Sequence, residues 1–194
     1  MHWYRFEMDH DRNPYSFIDH NPMRADGQFL HRDHTDRPHC TLKVGAKAMM
    51  DVANTVGGIL LLSERGKRVC ESVRMQEGMT WSPIEIRYRD KKTAAFWALT
   101  GNKRIDALDI ERSEMSWLLP GKVIGTISRL VLDEAQLPEL DIFVLDQTAK
   151  WIVSQTFRDK FEHEHLTGAV FHRCDVSQGA SLETKNEDCP GQKT

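Results

Sequence analysis

The sequence predicts an α+β fold, a mixed but mostly antiparallel sheet carrying a few short helices. Three observations point there. Apolar runs are short and of strand period, helical periodicity is confined to brief stretches, and strict βαβ alternation with a Gly-rich first turn is missing, which sets aside a doubly wound nucleotide-binding fold. In addition, one order of signals (strand, serine, helix, turn, strand) occurs as "LLLSERGKRVCESVRMQEGMTWSPIEIR", Leu60 to Arg87, and again as "WIVSQTFRDKFEHEHLTGAVFHR", Trp151 to Arg173. Two related strand-helix-strand units are therefore expected.

Taken in order, residues 1–45 are rich in His, Asp, Arg, Asn and Pro. Pro14, Pro22 and Pro38 interrupt any long helix, so this part reads as an irregular polar N-terminal arm with at most a short strand at Trp3 to Met8. The α+β domain is expected over 46–175. Ala46 to Val56 carries small and apolar residues at helical spacing and predicts a helix or a packed turn, stopped by Gly57-Gly58. Ile59 to Leu62 reads as a short buried strand. Ser63 follows as an N-cap, with Glu64 favourable at the positive end of the helix and Val69, Cys70 and Val73 on its buried face. In "MTWSPIEIRYRD", Ile84, Ile86 and Tyr88 alternate with Glu85, Arg87 and Arg89, the period of a half-exposed strand.

Further strands are expected at Ala95 to Leu99, Ile127 to Leu132 and Ile142 to Leu145. A short segment runs through Ile105, Leu108 and Ile110, and Pro120-Gly121 marks a turn. The second unit then gives a strand at Trp151 to Val153, Ser154 as N-cap, Phe157 and Phe161 four residues apart on a buried helix face, a turn at Gly168 and a strand at Ala169 to Phe171. Residues 176–194 lack aromatics and read as a disordered tail.

Composition narrows the function classes. A net charge of −3 lacks the basic footprint that neutralising phosphates requires, so no nucleic-acid partner is expected. The strongest apolar stretch, Gly57 to Leu62, is far below the ~18 residues of a membrane span, and the first residues do not read as a signal peptide. No membrane partner and a cytoplasmic location are expected. Cys40, Cys70, Cys174 and Cys189 are scattered without CxxC spacing, the pattern of reduced thiols.

Candidate chemistry is sparse. "HRDHTDRPHC" offers His31, Asp33, His34, Asp36, His39 and Cys40 as nitrogen, oxygen and sulfur donors of the kind zinc takes. Pro38 and the missing apolar period argue against a helix that would aim two imidazoles together. A solvated polar arm is the expected reading, with a metal-binding module or metal-dependent hydrolase using His31, His34, His39 and Cys40 as the alternative. His163 and His165 in "FEHEH" would point ~200° apart on a helix, which favours capping over a shared ion. Ser63 and Ser154 lack GxSxG surroundings and read as caps rather than nucleophiles. Asp106, Asp109, Glu111 and Glu114 have no nucleophile, Gly-rich loop or basic clamp nearby in sequence, so they form a solvated face or meet basic residues of a partner. No catalytic residue and no cofactor are expected.

The order of "LLLSERGKRVCESV", "RIDALDIERSEM", "ISRLVLDEAQLPELDIFVLD" and "WIVSQTFRDKFEHEHLTGAVFHRC" resembles the eleventh family of polymorphic-toxin immunity proteins, a Myxococcus-type immunity domain. The likeness covers about Leu60 to Cys174. Gly66, where the family's first helix carries a leucine, and Gln155-Thr156, where it carries a charged pair, depart from the pattern, and residues 9–40 lie outside it. The resemblance implies a cytoplasmic, non-enzymatic protein of bacterial competition. Such a protein binds a cognate toxin, delivered by contact or by a route such as type VI secretion, and blocks it. The acidic residues Asp106, Asp109, Glu111, Glu114, Asp133, Glu134 and Glu139 are the expected contacts, since complementary charge speeds encounter with a basic partner.

Overall fold

The structure, a computed structural model, describes residues 1–9, 17–19, 39–42, 50–54, 60–88, 91–100, 104–119, 123–146, 148 and 150–177. Its strands are β1 (Trp3–Met8), β2 (Phe17–Asp19), β3 (His39–Leu42), β4 (Val52–Asn54), β5 (Leu60–Leu62), β6 (Thr80–Tyr88), β7 (Lys91–Thr100), β8 (Glu114–Leu119), β9 (Val123–Arg129), β10 (Val131–Asp133), β11 (Ile142–Val144), β12 (Trp151–Ser154) and β13 (Ala169–Ser177). Helices α1 (Glu64–Glu71) and α2 (Gln155–His163) and a single 3-10 turn at Glu134–Gln136 complete the described elements. The class is α+β, mostly β, as expected. No helix among the described residues is long and apolar enough to cross a membrane.

The strands form a five-stranded sheet of order β10-β13-β1-β12-β11, a six-stranded sheet of order β2-β3-β6-β7-β5-β4, and the two-stranded ribbon β8-β9. Pairing is antiparallel except at β3-β6 and β10-β13. The short strand expected at Trp3 to Met8 is present, but it is the middle strand of the first sheet, flanked by β12 and β13. Residues 17–19 and 39–42 are also strands, so the stretch read as irregular contributes to both sheets. Val52–Asn54 corrects the helix or packed turn expected at Ala46 to Val56, because pairing with β5 overrides the helical spacing of small residues. The run expected as one strand from Ile127 to Leu132 is divided at Leu130, with β9 joining the ribbon and β10 joining the sheet. β13 extends through Ser177, two residues into the segment read as tail.

Alternation along β1 explains how one sheet serves two cores. Tyr4 and Phe6 face a core shared with α1, α2 and strands β4, β5 and β7, where Val69, Phe157 and Phe161 are buried. Phe6 sits at its centre, its ring 5.4 Å from that of Phe157, 5.8 Å from Phe161 and 5.4 Å from Phe171. Trp3 faces the opposite side, a second core with Ala107, Leu108, Leu132, Phe143 and Ile152, closed by Met115, Ile124 and Ile127 of the ribbon.

Both helix caps are as the sequence implies. The Ser63 hydroxyl accepts from the Gly66 amide at 3.1 Å and that of Ser154 from the Phe157 amide at 3.2 Å. Each serine also meets an aspartate that the sequence does not flag. Ser63 donates to Asp51 Oδ1 at 2.7 Å, and Ser154 donates to Asp141 Oδ1 at 2.7 Å. The serine amides donate to the carbonyls of the same two aspartates. Oδ2 of Asp51 accepts from the Thr167 amide, beyond α2, whereas Oδ2 of Asp141 accepts from the Arg74 amide, beyond α1. Each carboxylate thus ties the start of one helix to the chain leaving the other.

Candidate functional site

The groups with the most chemical promise in the sequence are used internally or lie elsewhere. Ser154 is fully buried, its hydroxyl held between Asp141 and the helix amide, so it has no access to substrate. Cys70 and Cys174 are free, buried thiols; burial pushes both up, Cys174 to about 12, so neither is a thiolate nucleophile at neutral pH. His31 and His34 lie outside the described residues. His39 and Cys40 are consecutive positions of β3, in register with Glu85 and Ile86 of β6. His163 ends α2 and His165 follows it in the left-handed region with φ 52°, both exposed. Among the described residues no group of three or more His, Cys, Asp and Glu could hold a metal ion.

The acidic positions gather where residues 105–113 run along β10. The Asp109 amide donates to Val131 and the Asp133 amide to Ala107, and Leu108 bridges Leu132. This brings Asp106, Asp109, Glu111 and Glu114 alongside Asp133 and Glu134. Two of the six are engaged locally: Asp109 accepts from the Arg112 amide at 3.0 Å and pairs with its guanidinium, and Asp133 caps the 3-10 turn through the Ala135 amide. Asp106, Glu111 and Glu134 are exposed and make no ion pair with a described residue. Glu139 is separate from the group, exposed near Arg74 and Asp141.

Beside this acidic edge stands the β8-β9 ribbon. Met115 packs against the second core and Trp117 is half-buried on the same face, whereas Glu114, Ser116 and Leu118 alternate on the outer face, as the period of two requires. Leu118 is 72% exposed and Leu119 55%. Between the ribbon and the first sheet lie two clefts. One, of about 300 Å³, is lined by Arg5, Glu7, Ile124 to Ile127, Thr148 and Lys150. The other, of about 410 Å³, lies between Arg129 and the β13 residues His172 to Asp175. Glu7 organises the first: it accepts from Lys150 Nζ at 2.7 Å, with Arg5 at 3.3 Å and His172 at 3.8 Å. Burial works to raise the Glu7 carboxyl, but the Lys150 hydrogen bond and the surrounding cations outweigh it and hold it below its ordinary value.

A third cleft, about 430 Å³, opens between the helices and is lined by Arg65, Arg68, Lys160, His163 and Glu164. Its cations are partly committed. Arg65 donates to the Glu164 carbonyl, Lys160 donates to the Ser72 carbonyl at 2.6 Å, and Arg68 pairs with Glu64 at 3.5 Å. The arrangement neutralises helix C-termini and clamps α1 to α2.

Sequence reasoning missed the ribbon and the Arg5, Glu7, Lys150 and His172 cluster. The ribbon had a signal, since "EMSWLL" alternates before the Pro120-Gly121 turn. The cluster had none, because its members are far apart in the chain and meet only through β1, β12 and β13. A family model described as Immunity protein family (Imm11) matches residues 5–176, which takes in residues 9–40 that the motif resemblance left out. No curated protein matches the chain.

Proposed function

Since the chain belongs to the Imm11 immunity protein family, we propose that it binds a cognate bacterial toxin directly and neutralises it without catalysis of its own. The observation that carries this reading is the family match over residues 5–176, most of the chain. The geometry is in keeping with it: the caps use Ser63 and Ser154, the cores bury Cys70 and Cys174, and exposed charged and apolar side chains remain among the described residues. Asp106, Asp109, Glu111, Glu114, Asp133, Glu134 and Glu139 are the acidic contacts of this reading. Asp106, Glu111 and Glu134 carry most weight, because Asp109 and Asp133 already have partners within the chain. The site of action is the cytoplasm of the producing bacterium, where the toxin arrives by contact or by a route such as type VI secretion. The two strand-helix-strand segments, Leu60 to Arg87 and Trp151 to Arg173, are related units that serve as scaffold, a reading supported by the matching positions of Asp51 with Ser63 and Asp141 with Ser154.

Coexpression tests the reading. A susceptible bacterium producing the toxin encoded beside this chain should survive when the chain is also produced and die when it is not. Death in both cases would sink the proposal.

A further inference from the structure

We propose that the outer face of the β8-β9 ribbon, centred on Leu118, docks onto a basic surface of the toxin; this rests on the neutralising function above and adds the surface used. Leu118 and Leu119 are, with Met1 and Ile110, the exposed large hydrophobic side chains among the described residues. Their exposure is not a failure of packing, since Met115 on the same strand packs against the second core and Trp117 is half-buried. Leu118 also lies against the ribbon: a Cβ added at Gly125 would sit 3.2 Å from Leu118 Cγ and 3.1 Å from Ser116 Oγ. The bare glycine backbone lets the leucine lie across the ribbon and present a preformed apolar spot.

Toward the base of the ribbon acidic groups are in excess, for Arg112 is paired with Asp109, and Arg129, opposite Glu114 across the strands, is paired with Asp175. Glu114 shares the outer face, roughly 14 Å away along the strand at ~3.4 Å per residue. Asp106, Glu111 and Glu134, exposed and without ion pairs among the described residues, lie at its base. An apolar centre with a charged rim is the anatomy of a specific interface. The occupant it fits is a basic protein surface with a recess for a leucine. A second copy of this chain fits less well, because a two-fold contact would set carboxylates against carboxylates.

The test titrates the purified chain with a catalytically inactive form of the toxin encoded beside it. Leu118→Arg and the milder Leu118→Ser should weaken binding by about 100-fold and about 10-fold, changes typical of a central anchor, with unchanged melting temperatures. Glu111→Lys should slow association more than it speeds dissociation. Arg68→Glu, on α1, should change neither rate. If both Leu118 variants bind as tightly as the native chain, the ribbon is not the surface. Loss of a dimer in Leu118→Arg with toxin binding intact would also overturn it, in favour of a second copy. A native chain that does not bind the toxin defeats the functional reading itself, and the ribbon assignment falls with it.

Discussion

Asp141 shows how a single buried carboxylate can be worth keeping. It is 3% exposed, and burial alone would raise its carboxyl, yet hydrogen bonds from Ser154 and from the Arg74 side chain and amide win and hold it below the ordinary value. A depressed carboxyl stabilises the fold fully above its unfolded value of ~3.9, and that contribution is lost as pH falls from there through the folded value. Urea midpoints should therefore drop on acidification through this range, and Asp141→Asn should flatten the drop. At neutral pH Asp141→Ala should cost ~1–3 kcal/mol by leaving the proton of the buried Ser154 hydroxyl without an acceptor, read from the same urea curves. Gly168 presents the opposite constraint. Its φ is +90°, and an added Cβ would lie 2.7 Å from both the Val52 carbonyl oxygen and Met50 Cβ. Gly168→Ala should destabilise by at least ~1 kcal/mol for lack of any strain-free position, which a thermal melt would register. The serine caps were legible because a hydroxyl before a helical run acts locally. Asp51 and Asp141 were not, since beyond the serines their second partners, Thr167 and Arg74, lie 116 and 67 residues away in the chain.

At the scale of elements, the helices were the most readable part, for the buried faces of α1 and α2 repeat at helical period and each has its cap in sequence. Phe157 and Phe161, expected on one face, pack around Phe6. Truncating Phe6 to Ala should cost ~3–5 kcal/mol, and equilibrium unfolding would measure it. The strand bearing Phe6 was visible as a strand, but its neighbours were not. Its partners β12 and β13 lie at the other end of the chain, and pairing of that range is written in no local pattern. β4 was hidden for a related reason: three residues of strand are too few to display a period of two. The ribbon is a different kind of element. Two strands alone are marginal in water, and β8-β9 depends on Met115, Ile124 and Ile127 and on the Ser113 bonds to Val131. Its amides should exchange with deuterium before those of β1 and β12, as followed by exchange mass spectrometry; equal protection would show the ribbon to be part of the core.

For the whole molecule, the order of motifs was more informative than any motif. No spacing in the chain specifies a reaction, and composition gave no reason to expect a phosphate backbone as partner but could not point to a protein surface. The acidic residues expected as contacts were visible as charge, whereas their gathering along β10 depends on the loop 105–113 folding against it, and Leu118 acquires meaning only when Met115 and Trp117 are seen to face the other way. Two cores lie on either side of one sheet, with Asp51 and Asp141 tying the start of each helix to the chain leaving the other, and on this frame the ribbon and the acidic edge are exposed. Direct titration of the purified chain into the inactive neighbouring toxin bears hardest on this account. A one-to-one complex with a dissociation constant of ~10⁻⁹ M or tighter, ~12 kcal/mol of binding free energy, is expected. No complex at micromolar concentrations of both proteins would contradict it.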